Sequence, residues 1–165
     1  MTELSYRPPD ESDAPSISEL VLHALDAETL PGWTPHAVSS LLAKASPDSM
    51  RGQIASAAFA HVAVDGKRVV GFILCKQLRF LNLLVVEPNH QRQGIGSNLT
   101  RRMFQNLLST APDLSVVEVN ATEHSLSFWR RVGFYPLSEF IEFDGCRFAR
   151  LGYWRKNPRL PQPEC

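Results

Sequence analysis

Between an apolar run, Leu81 to Val86, and a stretch of helical periodicity, Asn98 to Leu108, the chain carries Gln91-Arg92-Gln93-Gly94-Ile95-Gly96-Ser97. A strand, a glycine loop and a helix in immediate succession limit the topologies open to the chain, and the loop has the chemistry of a pyrophosphate holder. Two glycines one residue apart let the backbone approach a ligand closely and take dihedrals that a Cβ forbids, while the N–H groups at the helix start lack carbonyl partners. Those donors, reinforced by the positive end of the helix dipole, suit a phosphate. The competing reading is an ordinary strand–turn–helix in which Gly94 and Gly96 only permit the turn.

Two other nucleotide loops join a strand to a helix, and neither fits. A P-loop needs Lys-Ser or Lys-Thr after its second glycine, whereas Gly96 is followed by Ser97-Asn98. A dinucleotide fingerprint needs a third glycine where Leu99 stands, and an acidic residue at the end of the next strand. What remains is Gln/Arg-x-x-Gly-x-Gly, preceded by Leu84-Val85-Val86-Glu87-Pro88. This combination resembles the acyl-coenzyme A loop of the Gcn5-related N-acetyltransferase (GNAT) superfamily. A second block, Val116-Val117-Glu118-Val119-Asn120, a short helix, then Phe128-Trp129-Arg130-Arg131-Val132-Gly133-Phe134, strengthens the resemblance. It departs from the family pattern at three positions: Thr122 stands at the usual Asn, Ser125 at the usual Ala and Trp129 at the usual Tyr.

The resemblance implies an α/β fold with a mixed central sheet of about seven strands, splayed between strands four and five, with helices on both faces. It implies acetyl-coenzyme A as cosubstrate and no metal. The backbone of Leu84, Val85 and Val86 is then expected beside the pantetheine arm and the amides from Gln91 through Arg92, Gln93, Gly94, Ile95 and Gly96 to Ser97 at the pyrophosphate. Phe128, Trp129 and Arg131 are expected against the cofactor, and a backbone N–H at Val85 or Val86 is expected to meet the oxyanion.

Length and composition agree with one substantial core: 165 residues, 44% hydrophobic and 21% charged. Residues 1–156 are expected to form a single domain, and the proline-rich 157–165 a loose tail. Lys plus Arg equals Asp plus Glu at 17 each, so the overall balance favours neither nucleic acid nor an anionic membrane. Cys75, Cys146 and Cys165 lack metal-ligand or Cys-x-x-Cys spacing. Reduced thiols and a cytoplasmic location are the simplest account, as the N-terminus has no apolar signal core and no stretch reaches the length of a membrane span. A monomer or a homodimer is expected.

Along the chain, Tyr6-Arg7-Pro8-Pro9 suits an edge strand. A helix follows, capped by Asp13 or Ser16, with Ile17, Leu20, Val21, Ala24 and Leu25 on its apolar face. Thr34-Pro35 opens a second helix, to about Ala45. From Ala57 the period becomes that of strands, with hairpin signals at Asp65-Gly66 and Asp144-Gly145. The predicted order is β-α-α-β-β-β-α-β-α-β-β, and Leu81 to Val86, apolar on both faces, is its covered central strand.

Acetyl transfer to an amine needs a base, oxyanion donors and a proton for the thiolate. Glu118 is the base candidate, because it interrupts an apolar strand and shares a face with Asn120; the competing reading is a carboxylate paired with an arginine. Trp129 offers an N–H without useful acidity, which leaves water, Ser125, Tyr135 or Tyr153 to protonate the thiolate. His124 is a possible proton relay, Asn82 at most orders a water, and Trp33 and His36 fall in the region that lines the acceptor site across the family. The expected activity is acetyl transfer to a primary amine on a small molecule or peptide. The alternative is an acyl-coenzyme A binding or sensing module with little or no turnover.

Overall fold

The computed structural model describes residues 4–25, 30 and 32–154; the tail expected from residue 157 onward lies outside them. One four-stranded antiparallel sheet runs β1 (Leu4–Arg7), β2 (Phe59–Asp65), β3 (Arg68–Cys75), β5 (Leu83–Val86). The other runs β4 (Phe80–Leu81), β6 (Val116–Ala121), β8 (Cys146–Trp154), β7 (Tyr135–Phe143), with β4 parallel to β6. Both hairpin signals hold. Gly66 takes φ +61°, and Asp144 and Gly145 take +51° and +74°, the positive pair that a type I′ turn requires.

The single central strand expected over Leu81 to Val86 is divided, which is why eight strands stand among the described residues where about seven were expected. Asn82 makes the division. Its N–H donates to Leu74 (2.9 Å) and its Oδ1 accepts from the Lys76 N–H (2.7 Å), so a side chain takes the place of a ladder carbonyl. The chain therefore changes partner, Phe80–Leu81 pairing with β6 and Leu83–Val86 with β3. Asn82, from which at most the ordering of a water is expected, is thus a structural pin.

Helix α1 (Ala14–Ala24) buries Ile17, Leu20 and Val21 as its periodicity predicts. Asp13 sits at its cap position but makes no cap bond, because its carboxylate takes the Arg7 guanidinium at 2.6 and 2.8 Å and the Asp10 N–H at 2.9 Å. The Arg7 hydrogen bonds hold the Asp13 carboxyl below the usual carboxylate range against the opposing effect of burial. Ser16 lies inside the first turn. Helix α2 (Pro35–Lys44) starts as expected, with Thr34 Oγ1 accepting from the Ala37 N–H. A third helix, α3 (Pro47–Ala55), is absent from the predicted order although Ser46-Pro47 repeats the same cap-plus-proline signal. Gly52 inside it, and Met50 as its one fully buried residue, dilute the pattern. Helices α4 (Ile95–Thr110) and α5 (Leu126–Val132) complete the fold, the latter ended by Gly133 at φ +107°.

Two cores flank the sheets, one under α1 and α3, the other under α4. Strand β3 serves both, buried from Val69 to Cys75. At its centre Gly71 lets α4 approach: an added Cβ would stand 2.8 Å from Ile95 Cγ2, 3.1 Å from Leu99 Cδ1 and 3.2 Å from Ala63 Cβ. Gly71→Val should therefore push the start of α4 off the sheet at a cost of about 1–3 kcal/mol. At about 2–4 °C per kcal/mol for a domain of this size, a thermal melt should fall by several degrees. An unchanged melting temperature would show that the helix has room to give.

Candidate functional site

A cleft of about 470 Å³ opens where the two sheets part. One wall is β5. Glu87 donates its N–H to Val70 (2.9 Å) in register with the β3–β5 ladder, so Val85 shares that pairing and turns its own N–H and C=O toward Phe72. The alternation leaves the amides and carbonyls of Leu84 and Val86 on the unpaired edge. Val85, one of the two expected oxyanion donors, lines the cleft but spends its N–H within the sheet and packs its side chain in the core under α1, so the register leaves Val86 with the outward N–H.

At the end of β5 the loop is held from below. The buried Glu87 carboxylate meets Arg68 (3.3 Å) and lies 3.0 Å from His23 Nδ1, the latter without hydrogen-bond alignment. His90 Nε2 lies 3.3 Å from Asp65, tying the loop to the β2–β3 hairpin. Above this base Arg92 and Gly94 take φ of +65° and +80° and α4 begins at Ile95, so the first-turn amides of Ile95, Gly96 and Ser97 have no carbonyl a turn behind them. Ile95 is buried against Gly71, so only its amide can reach a ligand. Arg92, Gln93 and Ser97 are exposed. Gln91 lines the cleft, but its Nε2 donates to the Val86 carbonyl (3.2 Å), occupying part of the free edge.

Gly96 has a second reason to lack a side chain. A Cβ there would lie 3.2 Å from the Phe128 ring and 3.7 Å from Val86 Cγ2, so α5 closes over the start of α4 at this point. Trp129 is buried, edge-on to Phe128 and Phe134 at centroid distances of 4.9 and 5.1 Å. Arg131 is exposed and outside the cleft wall. Of the hydroxyls considered, Ser125 lines the cleft, while Tyr153 packs on Phe104 and Phe134 in the core and Tyr135 stays out of the wall. His124 lines the cleft and His36 does not.

The far end of the cleft is roofed by a contact that sequence reasoning missed. Thr34 donates its N–H to the Gly145 carbonyl (2.8 Å) and Trp33 its Nε1–H to that of Arg147 (3.0 Å), clasping the segment before α2 to the β7–β8 tip. Arg147 also pairs with Glu123. The wall so formed includes Trp33, Lys44, Cys146 and Phe148. Burial and the Asp144 carboxylate push the Cys146 thiol up, with the Lys44 ammonium opposing.

The acetyltransferase (GNAT) domain profile matches residues 29–152, three quarters of the chain and both walls of the cleft. The chain belongs to the GNAT acetyltransferase family. It is 28% identical over 102 residues to N-alpha-acetyltransferase 30 of Schizosaccharomyces pombe, a match that covers 56% of this chain and 61% of that protein. The chain thus spans less than two thirds of that relative. Among solved structures it is similar to a GCN5-related N-acetyltransferase from Rhodopseudomonas palustris, with a TM-score of 0.77 at 15% identity over 93% of this chain and 97% of the other. It is also similar to the PaiA N-acetyltransferase of Thermoplasma acidophilum in complex with coenzyme A, with a TM-score of 0.72 at 16% identity over 92% and 99%. At such identities the likeness concerns the fold.

Within this GNAT domain, Glu118 lies on β6, on the same face as Asn120 and opposite Phe80. Its carboxylate is already engaged: Oε2 accepts from Arg150 at 2.5 Å and Oε1 lies 3.6 Å from Arg79. It is not part of the cleft wall. Both carboxylate oxygens are thus taken up by guanidinium groups, away from the wall where an amine would sit. Glu118→Gln should therefore leave coenzyme A affinity unchanged and lower turnover less than tenfold, at every pH. A fall of about 10²–10⁴-fold that shrinks as pH rises would make Glu118 the base instead.

Proposed function

We propose that the chain transfers an acetyl group from acetyl-coenzyme A to a primary amine by direct attack through a tetrahedral intermediate. The observation that carries this reading is the close succession along the chain of two sets of backbone groups left outside the ladder and the helix. The outward edge of β5, in the cleft wall, offers Leu84 and Val86, with the Val86 carbonyl accepting from Gln91, and a few residues on the glycine loop offers the first-turn amides of α4. An extended pantetheine amide chain can pair with the first like an added strand, and a pyrophosphate suits the second.

On this reading the amides of Gly94, Ile95, Gly96 and Ser97 hold the pyrophosphate. Gln91 positions the Val86 carbonyl, and the Arg92 and Gln93 side chains reach the phosphates from solvent. Phe128 and Trp129 pack the cofactor side of the cleft, and Arg131, exposed in the last turn of α5, meets the outer part of the cofactor. The Val86 N–H points to the position where an oxyanion would develop. Trp129 supplies no acid, so the departing thiolate is protonated by Ser125 or water, an undemanding step for a thiol leaving group. Residues 1–156 act as one domain.

Gly96→Val tests the assignment. Its branched side chain would stand against Phe128 and over the helix amides, so binding of coenzyme A by calorimetry should be lost while the protein remains folded. Gly94→Ala strains a positive φ but meets no neighbour within 4 Å, and should bind with modest loss. For wild type, coenzyme A at a hundred times Kd should add about 2.7 kcal/mol of stability. Full affinity in Gly96→Val would reduce the loop to a turn and remove the basis of the proposal.

A further inference from the structure

We propose that the hydroxyls of Thr122 and Ser125 act as a pair toward the sulfur of the departing coenzyme A, Ser125 donating to the sulfur and Thr122 holding Ser125 in place. This rests on the transferase reading above and names the groups that meet its leaving thiolate. Trp129, packed among Phe128 and Phe134, has no acidic proton to give. One turn before it on the same helix stands Ser125, whose carbonyl accepts the Trp129 N–H at 3.1 Å.

Ser125 occupies the N-cap position of α5, where a serine oxygen ordinarily accepts from an amide of the first turn. It makes no such bond, because its backbone is already helical, at φ −91° and ψ −9°, where a capping residue is extended. Its Oγ turns instead to Thr122, accepting from Thr122 Oγ1 at 3.2 Å and donating to the Thr122 carbonyl at 3.2 Å. Both contacts are longer than a settled O–H···O bond of about 2.7–2.8 Å, so the Ser125 proton is cheaply redirected to a better acceptor. Both residues line the cleft. Leu81 pairs with Val119 where β4 runs parallel to β6, and three residues further along each side stand Leu84 and Thr122. The hydroxyl pair therefore comes level, across the gap, with the part of β5 whose outward edge would hold the pantetheine arm.

In the transfer the amine nitrogen bonds the acetyl carbon and the carbon–sulfur bond breaks with its electron pair on sulfur. The Ser125 O–H then points to that sulfur while its oxygen keeps the hydrogen bond from Thr122, and a hydroxyl whose own oxygen accepts a bond is the stronger donor. The proton that nitrogen gives up to water balances the one that sulfur takes up. Thr122 is thus a positioning residue. A hydrogen bond to a charged acceptor stabilises it by about tenfold or more.

Calorimetry with coenzyme A and with desulfo-coenzyme A, in which hydrogen replaces the thiol, tests this without any acceptor. A free thiol titrates near about 8.5, and a site that favours the thiolate binds coenzyme A more tightly as pH rises through that range. In wild type the preference for coenzyme A over the desulfo compound should therefore grow about tenfold from about pH 6.5 to about pH 9.5. In Ser125→Ala the growth should stay within about twofold, in Thr122→Val it should be about threefold, and Thr122→Ser should restore it. Among the described residues the other titratable groups of the wall are Lys44, His124 and Cys146, and they are the same in every variant. Because Ser125 caps nothing, Ser125→Ala should melt at the wild-type temperature. Equal growth in wild type and Ser125→Ala, no growth in wild type, or a Thr122→Val protein that behaves as wild type would overturn the pair while coenzyme A still binds. A melting point lowered by several degrees in Ser125→Ala would overturn it as well, making Ser125 a support of α5. Failure of wild type to bind either compound would overturn the cofactor reading itself, and this inference with it.

Discussion

Asn82 holds the point on which the rest of the architecture turns. A continuous apolar stretch from Phe80 to Val86 would by itself form one strand of one sheet. Because the Asn82 side chain satisfies the Lys76 N–H while its own N–H goes to Leu74, the stretch leaves one ladder and joins another within a single residue. The two sheets cannot stay side by side beyond that residue, and the cleft is the space their separation leaves. An amide side chain does this well, since it can replace a backbone carbonyl without burying an unpaired polar atom.

The cofactor side follows from that separation with few further choices. Once β5 is paired on one edge only, alternation dictates that Leu84 and Val86, not Val85, present their backbone to the gap. The close approach at Gly71 then fixes the start of α4 beside the end of β5, and Gly96 admits Phe128 over it. Glu87 and His90 hold the connecting loop to α1 and to the β2–β3 hairpin.

Much of this was legible in the residues. The glycine loop, both hairpin turns, the Thr34 cap and the Gly133 stop are local signals whose chemistry is complete within a few positions, and each was found where expected. What escaped depended on partners distant in sequence. For Glu118 the sequence leaves open a base or a carboxylate paired with an arginine, and nothing near it announces that Arg79 and Arg150 are the ones that close on it. Val85 looked like an oxyanion donor because the edge that carries free amides is set by register, which one strand's sequence does not contain. Asp13 looked like a cap because the type is right, yet Arg7 from the preceding strand claims it. Helix α3 is the exception: its signal was local and was masked by weak amphipathicity.

The clasp between Trp33, Thr34 and the β7–β8 tip joins segments more than a hundred residues apart in the chain. The opposite wall, by contrast, is built from Leu83 to Val86 and Gln91, neighbours in the chain, closed by Ser125, Phe128 and Trp129. The two halves of the cleft are therefore free to vary separately. Substitutions at either side of the clasp can reshape what enters without touching the outward edge of β5 or the first turn of α4, so one scaffold can change what it admits at one end while the other end stays constant.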